Sequence, residues 1–247
     1  VIFLRSLAFN LVMFGAGTLL SLYGNLLKLF WPDRLLALGQ LWARLTLGAL
    51  APLCGIRIAI VGQKYLPDGG PALIAAQHQS AFDTLVWLTL LPRPAYVLKR
   101  ELLGLPLMGA LLLPSGFIAV DRAGGAAAMR KMLADCRTAI AEGRQIVIFP
   151  EGTRVPHGER ATLQPGIAAL AKTLNLPVIA AATDSGRFWG RHAFRKRPGE
   201  LHIKIHPPLP AGTGRTEILD QLTRYFYDDP VDSSVDQAAG ELTGGAR

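Results

Sequence analysis

The chain has 247 residues, half of them apolar and only 18 % charged, with a formal charge of +8. Its length fits one domain with an appendage, and its shortage of charge points to a surface shared with something other than water. A basic balance attracts polyanions, but no helix-turn-helix, RNA-binding or zinc-ligand pattern is present, so lipid headgroups and phosphorylated substrates are expected rather than nucleic acid. The two cysteines, Cys54 and Cys136, form no CxxC and no disulfide framework, which fits a reducing, cytoplasmic setting.

Residues 6–27 carry no charge. As a helix they span about 33 Å, enough to cross a bilayer core, although Asn10, Tyr23 and Asn25 interrupt the apolar run. The stretch is long for a secretory signal, and no small-residue cleavage site follows it. Trp31-Pro32-Asp33 makes a break, and a second helix is expected over residues 34–51. Asp33, Arg34, Gln40 and Arg44 share about a third of a turn there. The remainder is mostly Leu, Ala and Trp, as in an interfacial helix, with Trp31 and Trp42 as headgroup-level anchors. Residues 1–54 therefore read as an apolar two-helix membrane-binding motif, either a span or an in-plane hairpin. A hairpin packed on the soluble core is the competing reading.

After Pro52 short apolar runs alternate with helical stretches. This predicts an α/β domain over residues 55–227, with a central, mostly parallel or mixed sheet flanked by helices. Strands are expected over residues 56–61, 72–76, 96–98, 117–120, 145–149, 178–182 and 201–206, and helices over 80–91, 126–142, 165–174 and 217–227. In the last strand Leu201, Ile203 and Ile205 alternate with His202, Lys204 and His206. With no Cys or carboxylate cluster beside them, the two histidines fit a half-exposed edge strand better than a metal site. Residues 228–247 are small, acidic and Gly-rich, and read as a disordered tail.

Polar clusters follow the strands. Residues 72–76 run into His78-Gln79-Ser80-Ala81-Phe82-Asp83, residues 117–120 into Asp121-Arg122, residues 145–149 into Pro150-Glu151-Gly152-Thr153-Arg154, and residues 178–182 into Thr183-Asp184-Ser185-Gly186. Ligands of open α/β sheets bind outside the carboxyl ends of the strands, so these clusters can line one crevice. On one straight helix His78 and Asp83 would point about 140° apart. They meet if His78 lies on the strand-to-helix turn and Asp83 on the first helical turn, with Ser80 as N-cap. The carboxylate then fixes the imidazole tautomer and leaves the other nitrogen to take a proton. A His and an Asp that merely cap a helix are the competing reading. Arg122 and Arg154 suit phosphate, Gly152 lets backbone N–H groups approach an anion, and Glu151 can orient an Arg or a substrate hydroxyl. Surface turns with ion pairs are the alternative. Between residues 187 and 204, Arg187, Arg191, Arg195, Lys196, Arg197 and Lys204 stand against Glu200, interleaved with Phe188, Trp189 and Phe194. This segment suits an anionic membrane surface, an acidic carrier or plain solvation.

Taken together, these residues resemble the glycerolipid acyltransferase family, specifically bacterial 1-acyl-glycerol-3-phosphate acyltransferases. The matches are His78 to Asp83 (His, four residues, Asp), the strand ending in Asp121-Arg122, Phe149-Pro150-Glu151-Gly152-Thr153-Arg154, and Leu176-Pro177-Val178-Ile179. Lys99-Arg100-Glu101-Leu102 is similar to a segment between the first two motifs. The resemblance spans about residues 55 to 210. It implies His78 as general base, Asp83 as its orienting partner, and Lys99, Arg122, Glu151, Gly152, Thr153 and Arg154 as the glycerol-phosphate site. It implies acyl-CoA or acyl carrier protein as thioester co-substrate, lysophosphatidic acid as acceptor, and no metal or other cofactor. It also implies residence at the inner (plasma) membrane, with the catalytic domain on the cytoplasmic side. Gln77 stands where many members carry Asn, and Leu163-Gln164-Pro165-Gly166 lacks a common basic residue. Another lysolipid acceptor, such as a lyso-ornithine lipid, and a non-catalytic membrane-binding protein of the same fold are the alternatives. A hydrolase is disfavoured by the absence of a Gly-x-Ser-x-Gly elbow.

Overall fold

The structure is a computed structural model that describes residues 1–229 and 231. Helix α1 (Ile2–Leu27) is followed by a 3₁₀ turn at Pro32–Arg34 and by α2 (Leu35–Gly48), which ends in a π turn at Leu50–Cys54. Then come β1 (Ile56–Val61), β2 (Ala72–Ala76), α3 (Phe82–Leu90), β3 (Pro94–Lys99), α4 (Gly109–Leu112) and β4 (Ile118–Val120). The second half runs α5 (Gly125–Ala141), β5 (Gln145–Ile148), α6 (Gly166–Leu174), β6 (Val178–Thr183), α7 (Ser185–Phe188), β7 (Gly199–Ile205) and α8 (Arg215–Thr223). It closes on a π turn at Arg224–Asp228.

The strands form one sheet in the order β1-β7-β6-β2-β5-β3-β4, and only the β6–β7 pair is antiparallel. The expected mixed sheet flanked by helices is thus present. Every residue of β2 is buried because both faces are covered. Leu73 and Ala75 join a core with Cys136, Ile167, Leu170 and Ile218 from α5, α6 and α8. Ala72, Ile74 and Ala76 join the opposite core with Phe9, Leu47, Phe82 and Trp87 from α1, α2 and α3. Each fully buried Leu, Ile or Phe contributes about 1.5–3 kcal/mol, so these two layers hold the short strands more than local propensity does. Burial pushes the Cys136 thiol up to about 12, as suits a small core residue.

Helix α1 has its polarity inverted. Ser6, Asn10, Gly17, Ser21 and Gly24 face inward, while Leu4, Leu11, Leu19 and Leu26 are about two-thirds exposed. Lys196 explains part of this. It is 3 % exposed, donates to Asn10 Oδ1 at 2.5 Å, and sits over the Phe9 and Trp189 rings. Its backbone N–H donates to Ser6 Oγ at 2.9 Å. Lys196 therefore ties α1 to the sheet domain rather than joining the basic surface, and Lys204 is likewise taken up, by Asp229 at 2.7 Å. Trp42 is no headgroup anchor: its indole N–H donates to Met13 O at 3.0 Å, inside the α1–α2 contact. Trp31, by contrast, is half-exposed.

The edge-strand expectation for residues 201–206 is corrected. β7 lies inside the sheet between β1 and β6. The polar face of β7 is covered by specific partners: Asp184 accepts from His202, and Tyr225 stacks on His206 at 3.8 Å. The tail expected from residue 228 begins with two tethered aspartates, Asp228 paired with Arg160 and Asp229 with Lys204. The rest of that stretch lies outside the described residues, apart from buried Val231.

Candidate active site

His78 sits just beyond β2, whose ladder with β6 continues for one more residue through the Gln77 N–H to Ala181 O. The chain then reverses, and α3 starts at Phe82, two residues later than expected. Asp83 is what closes this reversal. Its Oδ2 accepts the Gln79 and Ser80 N–H groups at 2.7 Å each, and its Oδ1 accepts the Ser185 hydroxyl at 2.7 Å. Ser80 plays the smaller part, its Oγ accepting from the Phe82 N–H at 3.1 Å.

The same Asp83 Oδ2 lies 3.3 Å from His78 Nδ1, a loose contact of the kind that tightens around a substrate. Asp83 is 2 % exposed and surrounded by donors, so it acts as an acceptor-only carboxylate. Nδ1 must then carry the imidazole proton, and the lone pair falls on Nε2. The ring stacks on Phe149 at 4.1 Å and lines a cavity of about 780 Å³.

Part of that cavity's lining is cationic. Lys99 ends β3, Arg122 follows β4, and Gly152, Thr153 and Arg154 follow β5; all five line the cavity. Burial lowers the pKa of both Arg122 and Arg154, yet among the described residues neither has a carboxylate in ion-pair contact. Arg122 instead donates to Gly152 O, and Arg154 offers its carbonyl to Arg191 at 3.4 Å. Two guanidiniums gathered without a carboxylate partner leave the charge balance open for an anion. Gly152 has φ +72°, a left-handed turn that favours glycine, and a Cβ there would stand 2.9 Å from Arg122 Nη1 and push that guanidinium aside.

Much of the remaining lining is apolar. Met13, Gly17 and Trp42 from the two N-terminal helices, Leu85 and Leu88 from α3, and Phe117 line it. The cavity therefore brings together cationic side chains, the imidazole of His78 and apolar side chains from the N-terminal helices.

Glu151 is the exception among the residues expected to hold the glycerol phosphate. It is 5 % exposed and does not line the cavity. Its Oε2 accepts the His78 backbone N–H at 2.5 Å, and its Oε1 accepts the Tyr227 hydroxyl at 2.8 Å. Burial pushes its pKa up to about 8, against the pull of those two donors. The sequence named Gln77 only as a departure from the family pattern, and Tyr227 not at all. Ser185 lay in a cluster assigned to the crevice, but without a role. The buried amide of Gln77, next to the His, was the one legible signal; Tyr227 gave none.

A family model described as Acyltransferase matches residues 57–184. The chain is 33 % identical over 175 residues to the 1-acyl-sn-glycerol-3-phosphate acyltransferase of Pseudomonas aeruginosa, covering 70 % of this chain and 66 % of that one, just under two thirds of its length. It is 28 % identical over 204 residues to the protein of the same name from Limnanthes alba, covering 82 % of this chain and 72 % of that one. To the human 1-acyl-sn-glycerol-3-phosphate acyltransferase alpha it is 29 % identical over 169 residues, covering 68 % of this chain and 60 % of that one. The fold is similar to the crystal structure of the 1-acyl-sn-glycerophosphate (LPA) acyltransferase PlsC from Thermotoga maritima. The TM-score is 0.71 at 19 % identity, covering 95 % of this chain and 97 % of that one. With the family model spanning just over half of its residues and His78 lining a cavity together with Lys99, Arg122 and Arg154, the chain belongs to the acyltransferase family.

Proposed function

We propose that the protein is a 1-acylglycerol-3-phosphate O-acyltransferase. It moves a fatty acyl group from acyl-CoA or acyl carrier protein to the sn-2 hydroxyl of lysophosphatidic acid, giving phosphatidic acid for phospholipid biosynthesis. The observation that carries this reading is that His78, two guanidiniums without carboxylate partners and a set of apolar side chains line one cavity. The relatives' names point the same way.

In this reading Lys99, Arg122 and Arg154 hold the acceptor phosphate, and the Gly152-Thr153 turn lies beside it. The acceptor hydroxyl gives its proton to His78 Nε2 as its oxygen bonds to the thioester carbonyl carbon. Asp83 stabilises the imidazolium that forms. Collapse of the tetrahedral intermediate breaks the C–S bond, and the leaving thiolate recovers the proton as a thiol. The acyl donor is a co-substrate, and the proposed steps draw on no other cofactor.

The two N-terminal helices are long and apolar enough for membrane association. We place α1 in the plane of the membrane, because its inner face is packed from Ser6 to Gly24 and only its outer face is open to lipid. The proposed location is the cytoplasmic side of the inner (plasma) membrane, which the basic surface and unpaired cysteines support.

The test is acyl transfer from oleoyl-CoA to lysophosphatidate in detergent micelles, comparing the parent with His78→Ala. Phosphatidate from the parent and its loss in the variant are expected. Robust turnover by His78→Ala would overturn the assignment of the base.

A further inference from the structure

The π turn at Arg224–Asp228 packs under the loop that carries His78, away from the cavity. Two consecutive residues of this turn reach the base by separate routes. Phe226 O accepts from Gln77 Nε2 at 3.0 Å, and Gln77 Oε1 accepts the Thr183 N–H at 3.0 Å. Gln77 is 4 % exposed, so both ends of its amide are used inside the fold. Tyr227 donates its hydroxyl to Glu151 Oε1 at 2.8 Å, and Glu151 Oε2 accepts the His78 N–H at 2.5 Å. The turn is itself tethered by Arg160, which donates to Tyr227 O at 3.3 Å and pairs with Asp228.

His78 needs this support. Its side chain has one loose bond, to Asp83, and one stacking contact, with Phe149. Its placement therefore rests heavily on its backbone, and the backbone N–H has Glu151 as its acceptor. Glu151 can accept on Oε2 only while it is held in register. A buried Glu151 carboxyl group that loses one of its two donors is free to rotate, and it then serves the His78 amide less well. Tyr227 supplies that second donor. Displacing a reacting group by about 1 Å can cost on the order of a hundredfold in rate, so a link that touches neither substrate still bears on turnover.

We propose that Tyr227, acting through Glu151, is a positioning residue for His78, so that the C-terminal turn sets the placement of the base without entering the cavity. This rests on the reading of His78 as the base.

The test uses the full chain, and compares the parent with Tyr227→Phe, which keeps the ring and removes only the hydroxyl. Protein labelled with ¹⁵N at its five histidines gives the His78 amide signal, assigned by its loss in His78→Ala. In Tyr227→Phe that signal moves upfield, kcat falls by about tenfold, and KM for both substrates stays within about twofold. The thermal midpoint changes by no more than a few degrees. Glu151→Asp, which keeps the carboxyl group but shortens its reach, gives the same pattern. A His78 amide unmoved in both variants, or a change in KM with kcat intact, overturns the proposal. The amide signal is read without substrate, so it decides the positioning link even if lysophosphatidate proves not to be the acceptor.

Discussion

Ser185 Oγ donates to Asp83 Oδ1 at 2.7 Å, joining the first turns of α3 and α7, 102 positions apart, and closing the donor shell of the carboxylate that faces His78. Asp83 thus has two jobs: it folds the loop after β2 and it orients the imidazole. Ser185→Ala removes one donor from the 2 %-exposed carboxylate but leaves two backbone N–H groups in place. Its cost is about 1–3 kcal/mol, read as a drop of several degrees in thermal midpoint, with only a modest loss of kcat. Asp83→Asn puts an amide where acceptors are required and frees the imidazole tautomer. It lowers kcat by roughly 10²–10⁴ with little change in KM. Comparable kcat losses in the two variants would falsify this division between scaffold and orienting group.

Arg122 and Arg154 are both cavity-lining cations without a carboxylate partner. Arg122→Ala and Arg154→Ala each reduce kcat/KM for a phosphate-bearing acceptor by about ten- to a hundredfold, as expected for one charge-assisted contact. A lysolipid alcohol without phosphate, run as a comparison acceptor, loses its preference gap in the variants. An equal loss on both acceptors would show that the guanidiniums support the fold rather than the phosphate.

His206 and Glu151 give stability opposite dependences on pH. Burial, with Lys204 acting in the same sense and Asp229 against it, lowers His206 to about 4. The unfolded chain then binds the extra proton between about pH 6.5 and 4, so this contribution is full above 6.5 and is lost as pH falls. Glu151, raised to about 8 by burial, holds a proton in the fold where the unfolded chain has lost it. Its contribution is full below about 4.5 and declines as pH rises towards 8. Thermal midpoints across pH 4–8 test both. His206→Phe, which keeps the stack on Tyr225, flattens the acid side, and Glu151→Gln flattens the decline towards 8.

Leu11 and Leu19 are exposed at 66 % and 69 % on the outer face of α1. Leu11→Glu with Leu19→Glu abolishes flotation with phospholipid vesicles while leaving the thermal midpoint in detergent unchanged, because neither side chain packs on the sheet domain. Retained flotation would assign membrane contact to another surface.

Much of the fold was legible because it rests on local patterns. Continuous apolar runs such as residues 72–76 and 146–149 announce strands covered on both faces, and the stretch from residue 6 to 27 announces a helix in apolar surroundings. The motif residues were legible too, since strand ends collect ligands in a parallel sheet. Less was visible wherever a residue's role depends on a partner far along the chain. Trp42 looked like an interface anchor until Met13 was seen to take its N–H, and the alternation of β7 looked like an edge because nothing in its own sequence names Asp184, Tyr225 or Asp229 as covers.

The run from Phe149 to Arg154 marks the boundary between the two kinds of information. By itself the sequence determined that a strand ends there in an acid, a glycine and a base, and that His78 and Asp83 lie at a spacing a turn can bring together. Which way each side chain points was decided by tertiary structure alone. The backbone turns through the left-handed conformation of Gly152, Arg154 faces the cavity, and Glu151 faces the interior, where Tyr227 and the His78 amide wait for it. A buried carboxylate is stable only where donors converge on it, and those donors come from segments that sequence proximity does not connect.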